Sequence, residues 1–479
     1  MNENLLTEEV VAEHRREGHW EEMRTAPILK LLVKYFLPAL VGVIVSALYN
    51  IIDRVFLGQV DPLALAALSA IFPVVLVRVA LGMLIGIGGS VRVSIALGKG
   101  DFKGAERIIG HSFVLMLIIG IIFASIGFLI IEPLLQFFGV TTLTHQYAKE
   151  YLEINLLGSI FSVVGYSMNN FIRAEGSAKI AMYSMLISAV TNVVLDPLFI
   201  FVFGWGVMGA AWATFIAQGV LAFWVIAYFC RKKSTLKLHW ANLRFSLRDT
   251  LSIFAIGFSP FIIQLAASLV QSVFNKQLLT YGDDYDMSVL GVINSVSMLL
   301  MMSIVALNQA AQPIYGYCVG AKHYHRLRSA YLYSLMAGTC IALIGFILVE
   351  LFPSPIIQFF EKTVGELQAH GIPAMRVYFL AMPLVGIQII SIGYFQSIGN
   401  AVTSAILTII RQIVLLVSML FLLPLLWGLD GIWRATPVSD FLSALIFIGV
   451  IVHEIRRLNR LITNHANTQP AQYTTSNTI

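Results

Sequence analysis

The sequence predicts an all-α integral membrane protein: twelve transmembrane helices in two pseudo-symmetric six-helix bundles with a central cleft. Three observations carry that reading. Of 479 residues, 58% are hydrophobic and 12% charged, with a mean hydropathy of +0.82, whereas soluble chains are about 25% charged. Twelve apolar segments can be marked, most long enough for the ~20 residues a helix needs to cross a ~30 Å hydrocarbon layer. The second six segments repeat the first at one fixed offset.

The first six segments run Ile28 to Leu57, Leu63 to Ser90, Ile108 to Ile131, Tyr147 to Ile172, Ile180 to Phe203 and Val207 to Cys230. The second six run Leu251 to Thr280, Met287 to Cys318, Ser329 to Leu351, Ile372 to Phe395, Ala401 to Leu425 and Gly431 to His453. Strand-like alternation is absent, so helices, not a β-barrel, must satisfy the backbone hydrogen bonds in lipid. The expected division is an N-terminal tail (1–27), a first lobe (28–230), a linker (231–250), a second lobe (251–455) and a C-terminal tail (456–479). The N-terminal stretch mixes Glu8, Glu9 and Glu13 with Arg15, Arg16 and Arg24, unlike a secretory signal. The stretch from Asn464 to Ile479 has no apolar period and is expected to be disordered. Cys230, Cys318 and Cys340 sit in or beside apolar runs at no metal-ligand spacing and read as packing residues.

Sliding the sequence by 222 residues superposes Phe36 and Pro38 on Phe258 and Pro260, and Gly98 on Gly320. The same shift superposes Gly206, Gly209, Ala213 and Thr214 on Gly428, Gly431, Ala435 and Thr436. Six helices is an even number, so both halves enter from the same side and are related by an axis along the membrane normal. That is a transporter's arrangement.

Lys99, Lys103 and Arg107, then Lys322 and Arg326, together with Arg231, Lys232, Lys233 and Lys237, mark the cytoplasmic side by the positive-inside rule. Asp61, Asp283, Asp284 and Asp286 occupy loops of the other side. Both termini are therefore expected in the cytoplasm, with lipid as the surrounding partner. The net charge of +5 is explained by these membrane-edge cations, not by nucleic acid. Gly98-Lys99-Gly100 is no phosphate-cradling loop, so ATP is not the energy source.

An ionised side chain at mid-bilayer costs at least ~2.5 kcal/mol on insertion scales, so intramembrane acids ask for a function. Asp53 lies in the first segment, with Tyr49 one turn earlier and Asn50 beside it. Asp196 lies in the fifth, one turn after Asn192. Pro197 follows, removing an amide donor and loosening the helix there. A carboxylate beside an amide and a freed carbonyl suits a proton or a small hard cation such as Na⁺. The bland alternatives are pairing of Asp53 with Arg54 and capping of a helix end. At the 222 shift Asp53 becomes Asn275 and Asp196 becomes Ser418, so both acids belong to the first half and ion coupling is assigned there. Arg78, Arg411, and Arg434 with Asp440 read as buried structural pairs. Gly82 and Gly86, followed by Gly88 and Gly89, read as close helix packing. Met182, Met185, Met298, Met301 and Met302 read as core fillers that would also suit an adaptable pocket.

These residues resemble the multidrug and toxic compound extrusion (MATE) transporters, in particular their DinF-like prokaryotic branch. The carriers are Leu48 to Asp53, Asn192 to Pro197, Gly206 to Thr214 and Gly320-Ala321-Lys322, and the similarity spans roughly Lys30 to His453. The resemblance implies export of drugs, often organic cations, in exchange for H⁺ or Na⁺ by a V-shaped pair of lobes in a prokaryotic inner membrane. It implies a coupling cluster of Asp53, Asn192, Asp196 and Thr214, which is also where Na⁺ would sit. It implies a first-lobe cavity lined by Pro38, Tyr49, Asn169 and Met185, next to which Asn50 lies. No other metal or cofactor is expected, and one two-lobed chain can work as a monomer. The NorM-like branch places acids in its seventh and tenth helices; Leu251 to Thr280 and Ile372 to Phe395 hold none. A lipid-linked precursor flippase and an integral-membrane transferase are the competing readings. The first would line its cavity with several cations, the second would need clustered Asp or His motifs.

Overall fold

The structure, a computed structural model, describes residues 21–231, 234–360 and 366–468. The expected tail up to Trp20, Lys232 and Lys233 of the linker, and the tail beyond Thr468 lie outside the described residues. Among the described residues the ordered elements are helices alone. In the first half these are α1 (Ile28–Val60), α2 (Pro62–Gly98), α3 (Phe102–Leu129), α4 (Ile131–Phe137), α5 (His145–Leu157), α6 (Ser159–Ala174), α7 (Ala178–Pro197) and α8 (Gly206–Cys230). In the second half they are α9 (Leu247–Tyr281), α10 (Asp284–Gly320), α11 (Tyr324–Leu351), α12 (Pro353–Phe360), α13 (Glu366–Phe379), α14 (Met382–Ser397), α15 (Ala401–Ile409), α16 (Ser418–Trp427) and α17 (Leu429–Thr468).

Short polar caps turn the chain between spans. Asp61 accepts from the Leu63 amide at 2.8 Å, with Pro62 in the first turn; the missing donor of a proline costs nothing there. Asp101 caps α3 through the Gly104 amide at 2.8 Å, and Asp283 and Asp286 form a reciprocal capping box at α10. Among the described residues ten helices are long and apolar enough to cross a membrane, and α13 with α14, bent by 46°, supplies an eleventh span. The segment expected from Tyr147 to Ile172 is instead two helices meeting at Gly158. Lys149, Glu150 and Glu153 in α5 explain why it reads as less apolar than its neighbours.

Two helices widen into π turns, at Leu198–Val202 directly after Pro197 and at Ile410–Val417 between α15 and α16. Such turns occur frequently at functional sites. The last helix runs past the expected end of the span. Leu458 is 2% exposed and the ring of His465 lies 6.1 Å from that of Tyr324, so the segment around Asn464, expected to be disordered, is helical through Thr468.

The repeat is written into the backbone. Gly206 and Gly428, 222 positions apart, both take positive φ (53° and 55°), a region that favours glycine. Gly209 and Gly431 each press on the end of the preceding helix, where a Cβ would fall 2.8 Å from the Phe199 carbonyl and 2.3 Å from that of Leu423. Pro38 and Pro260 sit inside α1 and α9. Across the axis, Gln312 donates to Ser90 at 2.8 Å, the two being 222 positions apart.

The lobes meet through α2 against α9 and α10, and through α1 against α10. A Cβ on Gly257 would lie 1.7 Å from the Leu84 carbonyl, and one on Gly88 2.2 Å from that of Ile253. The repeat-related Gly98 and Gly320 close on Tyr317 and Ile95 at 2.2 and 2.1 Å. All four glycines lie toward the face that carries Lys99 and Lys322. Arg92 of α2 and Arg107 of α3 both reach Asp249 at the start of α9, at 3.2 and 3.0 Å. Arg326 donates to the carbonyls of Met23 and Ala26. The lobes are thus fastened at the basic face.

Candidate functional site

Asp196 is fully buried, Asn192 1% exposed and Asp53 8% exposed. The Asn192 amide donates to Asp196 Oδ1 at 3.2 Å and to Thr214 Oγ1 at 3.4 Å, joining α7 to α8. Asp53 comes from α1, which packs along α7. Of the four residues assigned to coupling, Asn192, Asp196 and Thr214 are joined by hydrogen bonds, and Asp53 lies on the helix packed against theirs. Asp53 Oδ1, Asn192 Oδ1 and Asp196 Oδ2 are buried without a hydrogen-bond partner. Unpaired buried acceptors are costly, and a set made of oxygens alone can take up a proton or coordinate a small hard cation.

Neither carboxylate has an ion pair among the described residues. Arg54, the candidate partner of Asp53, places its guanidinium over the Phe72 ring at 5.1 Å. Pro197 stands at the junction of α7 with its π turn, so the helix is loosened directly beside Asp196.

The residues expected to line a first-lobe cavity have mixed positions. Pro38 is buried inside α1. The Tyr49 hydroxyl shares a 2.6 Å hydrogen bond with that of Tyr166. Asn50 faces outward and returns its amide to the Ser46 carbonyl. Asn169 is fully enclosed, donating to the Ala181 carbonyl and to Ser184 Oγ at 2.9 and 2.7 Å, and also accepting from Arg173. Met185 packs at the edge of the core.

The intramembrane arginines differ from the expected pairing, and of the three only Arg78 is buried. Arg78 is 5% exposed, and its partner is not an acid but Asn155, whose side-chain oxygen lies at 3.0 Å. Arg434 pairs with Asp430 one turn away and stacks on Trp427. Asp440 is taken by Arg411, with Nε to Oδ1 at 3.1 Å. Gly82, Gly86 and Gly89 do serve close packing: the Ser167 hydroxyl donates to the Gly82 carbonyl at 2.8 Å, and Cβ atoms at Gly86 and Gly89 would strike Ser167 and Phe171.

A cavity of about 730 Å³ opens in the second lobe, within the ordinary range of small-molecule sites. Met298, Met301 and Met382 line it together with Gln264, Gln309, Gln396 and Gln412, and Arg411 with Asp440 are its charged residues. Met83 and Ile87 of α2 contribute from the first lobe. Sequence reasoning missed this site. The available signal was the number of glutamines in apolar segments, each of which needs a partner in lipid.

Comparison with known proteins agrees with this architecture. The family model described as MatE matches twice, over residues 38–198 and 260–422, which starts at the repeat-related Pro38 and Pro260. A multidrug export protein MepA of Staphylococcus haemolyticus is 26% identical over 92% of this chain and 96% of its own. Its namesake in Staphylococcus aureus is 24% identical over 90% and 95%. Among solved structures, an outward-facing multidrug resistance MATE family transporter of the MOP superfamily superposes with a TM-score of 0.86. It is 26% identical and covers 91% of this chain and 98% of its own. A MOP superfamily transporter of Pyrococcus furiosus, described as having a binding pocket of reverse polarity, matches equally well.

Proposed function

We infer that this chain, which belongs to the MatE family, is a secondary active exporter of small-molecule drugs, driven by antiport of H⁺ or Na⁺. It is a multi-pass membrane transporter and not an enzyme. One observation carries the coupling reading: two buried carboxylates in one lobe, each with an unpaired oxygen and neither in an ion pair among the described residues.

In this reading the chain alternates between two states. An ionised, unpaired carboxylate is expensive away from water, so the cluster is at ease only with a proton or cation bound. Loading from outside neutralises Asp53 or Asp196, weakens any attraction for a cationic cargo, and lets α7 rearrange at Pro197, where its hydrogen-bond ladder is already interrupted. Release inward restores the charge. A tenfold proton gradient is worth about 1.4 kcal/mol and 100 mV about 2.3 kcal/mol. One proton exchanged for a neutral drug therefore supports on the order of 500-fold accumulation. The basic face is assigned to the cytoplasm of a prokaryotic inner membrane, with both termini there, and the working unit is a single chain.

The test is drug efflux from proteoliposomes under an imposed pH gradient or an imposed Na⁺ gradient, applied one at a time. One gradient should drive efflux, and Asp196→Asn should abolish it. Unchanged efflux in that variant defeats the assignment. The lipid-linked precursor reading gains no support from a cavity lined by one arginine.

A further inference from the structure

The second-lobe cavity holds one charge of each sign, and they touch. Arg411 reaches it from the π turn Ile410–Val417, which also presents the adjacent Gln412, and Asp440 reaches it from α17. Their contact uses one N–H and one oxygen, Nε to Oδ1 at 3.1 Å. Their side chains are 16% and 9% exposed. The rest of the wall is neutral: amides that donate and accept equally well, flexible thioethers, and the rings of Tyr378 and Phe379. The amide oxygen of Asn308 is buried there without a partner.

The charge arithmetic selects the occupant. A cation that took Asp440 from Arg411 would strand a guanidinium in a low-dielectric wall, and an anion on Arg411 would strand the carboxylate. A molecule carrying both charges answers both partners and leaves the cavity neutral. Planar guanidinium favours a carboxylate on that side through parallel N–H donors, and the methionines adapt to the apolar body. We propose that this cavity binds zwitterionic amphiphiles of drug size, their carboxylate on Arg411 and their cationic group toward Asp440. The inference names a cargo class for the export reading. The site itself stands apart from the coupling cluster and keeps its charge when that cluster is loaded or emptied.

Binding is measured without any gradient, so a failure of export and a failure of this site are read separately. The purified full chain in nanodiscs is titrated by fluorescence anisotropy at pH 7.5 with rhodamine 110, which carries a free carboxylate. Rhodamine 123, its methyl ester and a simple cation, is titrated in parallel, and empty nanodiscs are subtracted. The free-carboxylate dye should bind at least tenfold tighter. Arg411→Gln with Asp440→Asn, replaced together so that no lone charge is left, should erase that preference. Met301→Trp, which fills the cavity, should weaken both dyes tenfold or more. Equal affinities in the parent chain, a preference that survives the double replacement, or dye binding indifferent to Met301→Trp would each overturn the proposal. So would loss of the preference in Asp53→Asn with Asp196→Asn, because that would place the dye in the first lobe.

Discussion

The two lobes share a backbone and have exchanged their charges. At the 222 offset the first lobe has Asp53 and Asp196 where the second has Asn275 and Ser418. The second has Arg411 and Asp440 where the first has Ala189 and Gln218. Gly206 and Gly428 turn with the same φ, so at this corner the lobes differ in side chains and not in backbone. One lobe is left with two acids that each hold an oxygen without a hydrogen-bond partner among the described residues, the other with a closed ion pair beside a large cavity. Duplication fixes the scaffold, and a few buried charges divide the labour: one lobe can change its ionisation, the other keeps it.

The sharpest way to break this division is to remove charge from each lobe in turn. Asp196→Asn or Asp53→Asn should lower gradient-driven efflux by 100-fold or more, while Asn275→Ala and Ser418→Ala stay within twofold. Equal losses in the two lobes, measured in the same proteoliposomes, would end the asymmetry argument. A second test attacks what the lobes share. A valine at Gly98 would put its Cβ about 2.2 Å from the Tyr317 carbonyl, and backbone on backbone cannot yield as a flexible side chain can. Gly98→Val should part the basic-face ends of α2 and α10. Fully buried Cys318 is the native reporter: with Cys230 and Cys340 changed to serine, its maleimide labelling should accelerate at least tenfold.

Most of the scaffold was legible in the sequence because lipid imposes one rule, internal satisfaction of every backbone group. The 222 offset then located equivalent residues before any contact was known. The buried acids were legible as well, since Asp53 and Asp196 have no cheap explanation inside an apolar run. Partner choice was not legible. Nothing in the sequence says that Asp440 takes Arg411 and leaves Arg434 to Asp430, because i,i+4 proximity and contact across helices compete and only packing decides. Asn169 shows the same limit. An intramembrane amide has to be bonded, but whether to cargo or to the next helix depends on the distance to Ala181 and Ser184. The glutamine-lined cavity escaped because its residues come from α9, α10, α14 and the second π turn, far apart in sequence.

A smaller effect is expected at the fastening of the lobes. Asp249 holds Arg92 and Arg107, but Arg107 is 66% exposed and Arg92 23%. Exposed pairs are worth roughly 0–1 kcal/mol, so Arg92→Gln should loosen the basic face by a fewfold and more than Arg107→Gln does. The same Cys318 labelling rate ranks the two, and the reverse order would show that exposure does not govern the contact.

The smallest predicted effect concerns pH at the basic face, where the lobes differ again. In the second lobe Glu454 pairs with Arg457 and accepts from Tyr394 beside an open cleft. In the first lobe the corresponding cleft is filled by the linker, and buried Glu175 has no cationic partner among the described residues: it accepts from the hydroxyls of Tyr228 and Ser234 and from the Leu236 amide. Burial pushes its carboxyl up from 4.5 to about 7, against the lowering effect of those hydrogen bonds. The packed state thus holds a proton that the released state gives up. The docked linker is fully favoured below pH 4.5 and loses that advantage as pH rises through about 7. Trypsin cleavage at Lys237 should rise severalfold between pH 6 and 8, relative to the denatured chain. Glu175→Gln, neutral throughout, should flatten the profile. His239 of the linker also contacts Glu106 at 3.7 Å, so His239→Gln is the control. If that change, rather than Glu175→Gln, flattens the curve, the sensor is the exposed histidine and the buried glutamate is structural.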